Sequence, residues 1–170
     1  MKKIIMIILV ALAVALVSGC ATGGINSVSI SGSITEIKDI KALSVKIVNQ
    51  GIATPEEVET FKELLINELK NRQIDVVNEA KTVLEVTIKS VERVGGFIDQ
   101  MLFAPYKGSK GSGGRARCLV SVLVANNNKQ LLAFSVDGLP PMMTPFWNKT
   151  TKHAFADAAN RIVEKIKNVE

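Results

Sequence analysis

One histidine, one tryptophan, one tyrosine and two cysteines are all that these 170 residues contain of those types, and aromatic residues amount to 5%. Each shortage excludes something. With His153 alone, no histidine cluster exists for a zinc site, and no Ser/His/Asp set assembles around it. A place on a helical face accounts for His153 without catalysis. Few aromatics argue against nucleic acid, which is read by basic residues interleaved with stacking rings on a sheet face. The carboxylates show no spacing suited to acid–base work. Glu56, Glu57 and Glu59 crowd a helix start, where the macrodipole favours them, and Asp99 and Asp137 fall near loops with no paired spacing that argues for acid–base work. GSKGSGGR (108–115) precedes a strand rather than a helix and lacks the Gly-Lys-Ser/Thr of a phosphate loop. The expectation is therefore no enzyme, no cofactor, no metal and no nucleic acid.

What is present begins at the N-terminus. Lys2 and Lys3 precede an uncharged apolar run at 4–17, and small residues Ser18 and Gly19 follow. That is the layout of a secretory signal. It is short for a membrane span, which needs about 20 apolar residues. VSGC (17–20) resembles the lipobox of bacterial lipoproteins. The resemblance implies cleavage of residues 1–19 and a covalent acyl lipid, palmitate among its chains, on Cys20. Each buried methylene then contributes about 0.8 kcal/mol to anchoring. Ala21, rather than Asp, resembles sorting to the periplasmic face of the outer membrane, with the inner membrane as the alternative.

Removing residues 1–19 leaves 151, enough for one domain. The 21 basic residues lose Lys2 and Lys3, so 19 stand against 16 acidic ones and the net charge falls from +5 to +3. A mildly basic surface suits anionic lipid or envelope polymer better than nucleic acid. With Cys20 acylated, Cys118 has no disulfide partner. Within RARCLVSVLVA it reads as a small buried hydrophobe, or alternatively as a reactive thiol.

Residues 20–33 are rich in Gly and Ser and read as the lipidated N-terminus and a flexible tether, with a single α+β domain over 34–170. A strand is expected within 34–49, where Leu43, Val45 and Ile47 alternate with their neighbours. Thr54-Pro55-Glu56-Glu57 carries a cap, an N1 proline and a capping box. Val58, Phe61, Leu65 and Leu69 then recur at helical spacing to about Arg72. Short strand 73–77, strand 82–91, strand 115–126 and strand 129–136 follow, the last two joined by an Asn126-Asn127-Asn128 turn. Strand 115–126 is apolar on both sides and is expected to be covered on both faces. A helix over about 150–168 offers Phe155, Ala158, Ile162, Val163 and Ile166 to the core. The fold class is α+β: a two-layer sandwich, a mostly antiparallel sheet of about five strands, two helices on one face, in the order β-α-β-β-β-β-α.

The run of LLINELKNRQIDVV, TVLEVTIKSVERV, GSGGRARCLVSVLV, LLAFSVDG and AFADAANRIVEKI behind a lipoprotein signal resembles the small bacterial lipoproteins grouped as domain of unknown function 4410. The likeness spans roughly 39–168, and GSGGRA (111–116) entering the long strand is its most specific part. It implies this fold and an envelope location. The family brings no catalytic motif to carry over.

Two segments gather the remaining apolar bulk. Residues 95–114 hold Phe97, Ile98, Met101, Leu102, Phe103 and Tyr106, and residues 139–147 hold Met142, Met143, Phe146 and Trp147. In an antiparallel meander both leave the same end of the sheet. Lys107, Lys110, Arg115, Lys149 and Lys152 flank them. They either cap the core or form a contact surface, since large exposed apolar clusters mark protein or membrane contacts. The expected function is a lipid-anchored, non-enzymatic adaptor or assembly component of an envelope complex, bound to the membrane and to an envelope protein partner. A periplasmic small-ligand or lipid binder is the alternative.

Overall fold

The computed structural model describes residues 24–93, 116–140 and 150–169. Among them are six strands, β1 Gly24–Ile30, β2 Ala42–Asn49, β3 Asp75–Val76, β4 Thr82–Glu92, β5 Arg117–Asn126 and β6 Lys129–Gly138. Three helices accompany them: α1 Ile34–Lys38, α2 Pro55–Asn71 and α3 Thr151–Lys167. All six strands join in one sheet ordered β1-β6-β5-β4-β2-β3.

Local chemistry sets the start and stop of α2. The Thr54 hydroxyl accepts from the Glu57 N–H at 3.2 Å, and the Glu57 carboxylate accepts from the Thr54 N–H at 2.8 Å. Two N–H groups that the helix leaves unpaired are thus satisfied, a capping effect of about 1 kcal/mol. At the far end Gln73 turns left-handed (φ 59°). Its N–H reaches the Lys70 carbonyl, and the Ile74 N–H reaches the Leu69 carbonyl. This Schellman closure drops the chain directly into β3. Asn127 and Asn128, both at positive φ, form the tight β5–β6 turn whose twist suits a hairpin.

Burial alternates along the central strands. Leu84, Val86 and Ile88 of β4, Cys118, Val120, Val122 and Val124 of β5, and Leu132, Phe134 and Val136 of β6 are buried. The cluster they build includes Phe61, Leu65 and Leu69 of α2 and Phe155, Ala158, Ile162, Val163 and Ile166 of α3. The Phe61 and Phe155 rings meet at 5.4 Å and 49°, a tilted pair that locks the helices together. Gly138 ends β6 beneath α3. A Cβ there would stand 2.3 Å from the Ala154 carbonyl oxygen. Its backbone is not left-handed, so the requirement is space alone.

The two-layer α+β sandwich is the expected one, with one more strand and one more short helix. The tether expected at 20–33 is corrected from Gly24 onward, because β1 pairs with β6 from Gly24↔Asp137 to Ile30↔Leu132. Gly and Ser content suggested a linker, yet Ile25 half-buries against the core and supplies the strand's anchor. The strand within 34–49 begins only at Ala42. Ser33 caps α1 through the Glu36 N–H before it. The sheet is also less antiparallel than a meander, since β2 runs parallel to both β3 and β4 around the α2 crossover. Finally, among the described residues a layer covers β5 on one face only. Leu119, Ser121 and Leu123 on the opposite face are half-buried, with no described layer over them.

Candidate functional site

The registers define one end of the sheet sharply. Glu92 at the end of β4 stands opposite Arg117 at the start of β5. Cys118 stands opposite Gly138 at the end of β6, and Gly24 at the start of β1 stands opposite Asp137. Helix α3 rises from the same end, since Gly138 lies under its first turns. Helix α2 rises there too, two residues behind the Ala53 carbonyl that the Asn49 amide holds at 2.7 Å. Every segment boundary at 24, 93, 116, 140 and 150 therefore falls at a single end of the domain.

Polar contacts pin that end. Arg117 donates to Asp137 through Nε at 2.7 Å and through a second nitrogen at 2.6 Å, a bidentate fork across β5 and β6. Glu92 lies 3.8 Å from the same guanidinium on the other side. The carboxylate of Asp137 raises the Arg117 pKa above its ordinary value, against the opposing effect of burial. Arg93 donates through Nε to Glu57 at 2.8 Å, and also reaches the Ile52 carbonyl. That hydrogen bond is the main reason the Glu57 carboxyl sits below its usual range. Glu57 thus caps α2 and ties it to Arg93, the residue that follows β4. The Asp157 carboxylate accepts from the Leu139 N–H at 3.0 Å and from Arg161 at 2.7 Å, fixing the exit from β6 against α3.

His153 and Cys118 have local accounts. His153 Nδ1 and the Thr150 hydroxyl are 2.9 Å apart, within one helical turn. Cys118 is fully buried, and burial pushes its thiol up to about 12, which removes the thiolate needed for reactivity. Among the described residues no group of three metal-ligating side chains occurs, and no helix is long and apolar enough to cross a membrane. Cys20, Asp99 and the expected contact residues at 97–106 and 142–147 lie outside the described residues. What the structure supplies is the placement of the strands that lead into them. Sequence reasoning missed the salt-bridge frame at this end, although Glu92, Arg117 and Asp137 each sit at a strand terminus and carry the signal.

The opposite face of the sheet, over which the described residues place no second layer, holds an open groove of about 470 Å³ walled by Glu85, Thr87, Ser121, Leu123, Ala133 and Ser135. Lys46 pairs with Glu85 there at 2.8 Å. Hydroxyls and one ion pair stand here among apolar side chains such as Leu123 and Ala133, so the face is mixed, in contrast to the apolar face under the helices.

No protein-family model matches the chain, the domain of unknown function 4410 included, and no curated protein matches it. Solved structures do. The PelC dodecamer from Paraburkholderia phytofirmans superposes in two crystal forms, at 13% and 14% identity with TM-scores of 0.56 and 0.55. Each covers 88% of this chain and 100% of the other. A minor lipoprotein from Acinetobacter baumannii aligns at 10% identity over 75% of this chain and 93% of its own, with a TM-score of 0.44. At these identities the likeness to PelC is one of fold.

Proposed function

We propose that this chain is a lipid-anchored protein of the bacterial cell envelope, a non-enzymatic adaptor or assembly component that works with the pinned end of its sheet turned toward the membrane. The observation that carries the reading is the pairing of Gly24 with Asp137. Only three residues separate Gly24 from Cys20, a reach of at most roughly 14 Å. An acyl chain on Cys20 would hold the end of the sheet from which β4, β5 and β6 lead into the two apolar segments. Those segments, with Lys107, Lys110, Arg115, Lys149 and Lys152 beside them, would then face anionic headgroups or a membrane-embedded partner. Ala21 supports the periplasmic face of the outer membrane. PelC, which shares the fold, is a dodecamer, and that supports an assembly role over a solitary one.

Two measurements test the reading. Cells fed an alkyne fatty acid should label the wild-type chain and not Cys20→Ser, which should leave the membrane fraction. A labelled Cys20→Ser chain would refute the anchor. A triple Met142→Ser, Met143→Ser, Trp147→Ser variant should keep its circular dichroism and lose the envelope proteins that crosslink to the wild type. Unchanged crosslinking would place the contact surface elsewhere.

A further inference from the structure

Among the described residues both lateral edges of the sheet are open. On one side β1 is the last strand. On the other, β3 pairs with β2 at Ala42 and Leu43 and Val77 still donates to the Leu43 carbonyl, so β2 has no described outer neighbour from Val45 to Asn49. Exposed strand edges template pairing with another chain, and proteins usually guard them with lysine or proline. The β1 strand, GINSVSI, carries neither charge nor proline. Its one guard is the bulge at Ser27. On β2 the one charge in the open stretch, Lys46, is turned to the polar face and bound to Glu85.

The exposed apolar residues fall at these same edges. Among the described residues the large hydrophobics that stand exposed are Val28, Ile30, Ile34 and Val77, at 39 to 43%. The first three belong to β1 and the turn of helix after it, and Val77 follows β3 at the opposite edge. No other part of the described surface shares the feature.

The two edges also match each other. Followed through the ladders, Ile30 lies level with Leu132, Val124, Leu84 and Val45. Ile25 lies level with Val136, Val120, Ile88 and Asn49 by the same route. The six residues Ile25 to Ile30, one of them taken up by the bulge, therefore stand at the height of the five residues Val45 to Asn49. Chain direction is opposite in the two strands, because β1 is antiparallel to β6, β6 to β5 and β5 to β4, while β2 is parallel to β4. Ile30 and Val45 both belong to the helix-bearing face. A level join would thus be antiparallel, would set apolar against apolar on the covered face, and would keep the helices of both copies on one side.

We infer that the occupant of each open edge is a second copy of this chain, joined head to tail, β1 of one copy to the β2 edge of the next. A two-fold β1–β1 contact would leave Val77 and the β2 edge uncovered; the head-to-tail contact covers both. Head-to-tail contacts repeat and close into a ring or run on as a filament. The inference deepens the assembly reading and rests on it. Copies anchored through Cys20 share a plane and a polarity, with their strands standing on the membrane and their open edges facing sideways. That raises the effective concentration of one edge for the next.

The test uses the full chain in detergent-extracted membranes. Residues directly opposite in an antiparallel pair have Cβ atoms about 5 Å apart, close enough for a disulfide after small adjustment. Ile30→Cys and Val45→Cys in one chain should give, under mild oxidation, a reducible ladder of dimers, trimers and higher species. Each single variant should stay at monomer mass, and the two mixed should stop at dimer. Native mass spectrometry of the wild type should show multiples beyond two, and Ile30→Lys should reduce them to monomer with unchanged circular dichroism. A monomeric wild type, dimers from Ile30→Cys alone, or a crosslink to a different protein would each overturn the inference. Acylation of Cys20 and capture of envelope proteins are read separately, so the anchored-adaptor reading stands or falls on its own results.

Discussion

Replacing Gly138 by alanine tests the closest contact between the two layers. The added Cβ would sit 2.3 Å from the Ala154 carbonyl oxygen, 2.7 Å from the Ala158 Cβ and 3.0 Å from the Ala158 nitrogen. Two of the three are backbone atoms of a regular helix, so no rotamer change relieves them. Restoring ordinary contact at 3.4 Å means lifting α3 from β6 by about 1 Å. A gap of that size forfeits a quarter to a half of the dispersion well at each separated pair. Overpacking of a filled core costs about 1–3 kcal/mol, and a rigid obstacle puts this site near the top of that range. With a urea dependence of about 2 kcal/mol per molar, the unfolding midpoint should fall by about 1.5 M. In a thermal melt the same loss should lower Tm by about 6–12 °C. Gly24→Ala is the control, because nothing lies within 4 Å of its added Cβ. A Gly138→Ala midpoint within about 0.3 M of wild type, with the slope unchanged, would refute so close an approach of α3.

Three further outcomes follow from the geometry. Gln73→Gly should raise stability by about 0.5 kcal/mol in urea titration, since the left-handed backbone at the end of α2 penalises a side chain there. Cys118 should resist a maleimide at pH 8 in the folded chain and react only as fast as the chain unfolds, its thiol being buried and pushed up to about 12. Glu57→Gln should destabilise at neutral pH and approach wild-type stability in acid. The folded carboxyl lies below 4.5, so its contribution is complete above that value and fades as the pH drops through the lowered one, which paired pH-dependent melts will show.

The parts of the fold that were readable in the sequence are those whose signals are local. Thr54, Pro55 and Glu57 declare the start of α2 within four residues, and the alternation of Leu84, Val86 and Ile88 declares a half-covered strand. What was hidden depends on partners distant in the chain. Nothing in GINSVSI says strand until Leu132 and Val136 are beside it, because glycine and serine make it read as linker. The parallel pairing of β2 with β4 follows from the α2 crossover, and no periodicity records direction. Leu119 and Leu123 looked like residues of a doubly covered strand, whereas they are half-buried on a face that also carries serines and an ion pair, with no second layer among the described residues. At the pinned end, the common origin of the two apolar segments was legible from strand order. The arrival of Gly24, at the start of β1, at that same end was not.

That arrival also orders the steps by which the protein is made. The first strand of the domain to leave the ribosome, β1, pairs with residues 132–137, more than a hundred positions later. Contacts so distant in sequence form late, after loop closure has been met by nearer ones. Until β6 has emerged, Gly24–Ile30 has no ladder to join, and the cysteine just ahead of it stays on an unpaired stretch of chain. An enzyme that modifies or cuts at Cys20 would meet an extended peptide rather than the edge of a finished sheet. Once β1 docks, the same residues become structure, and the window closes.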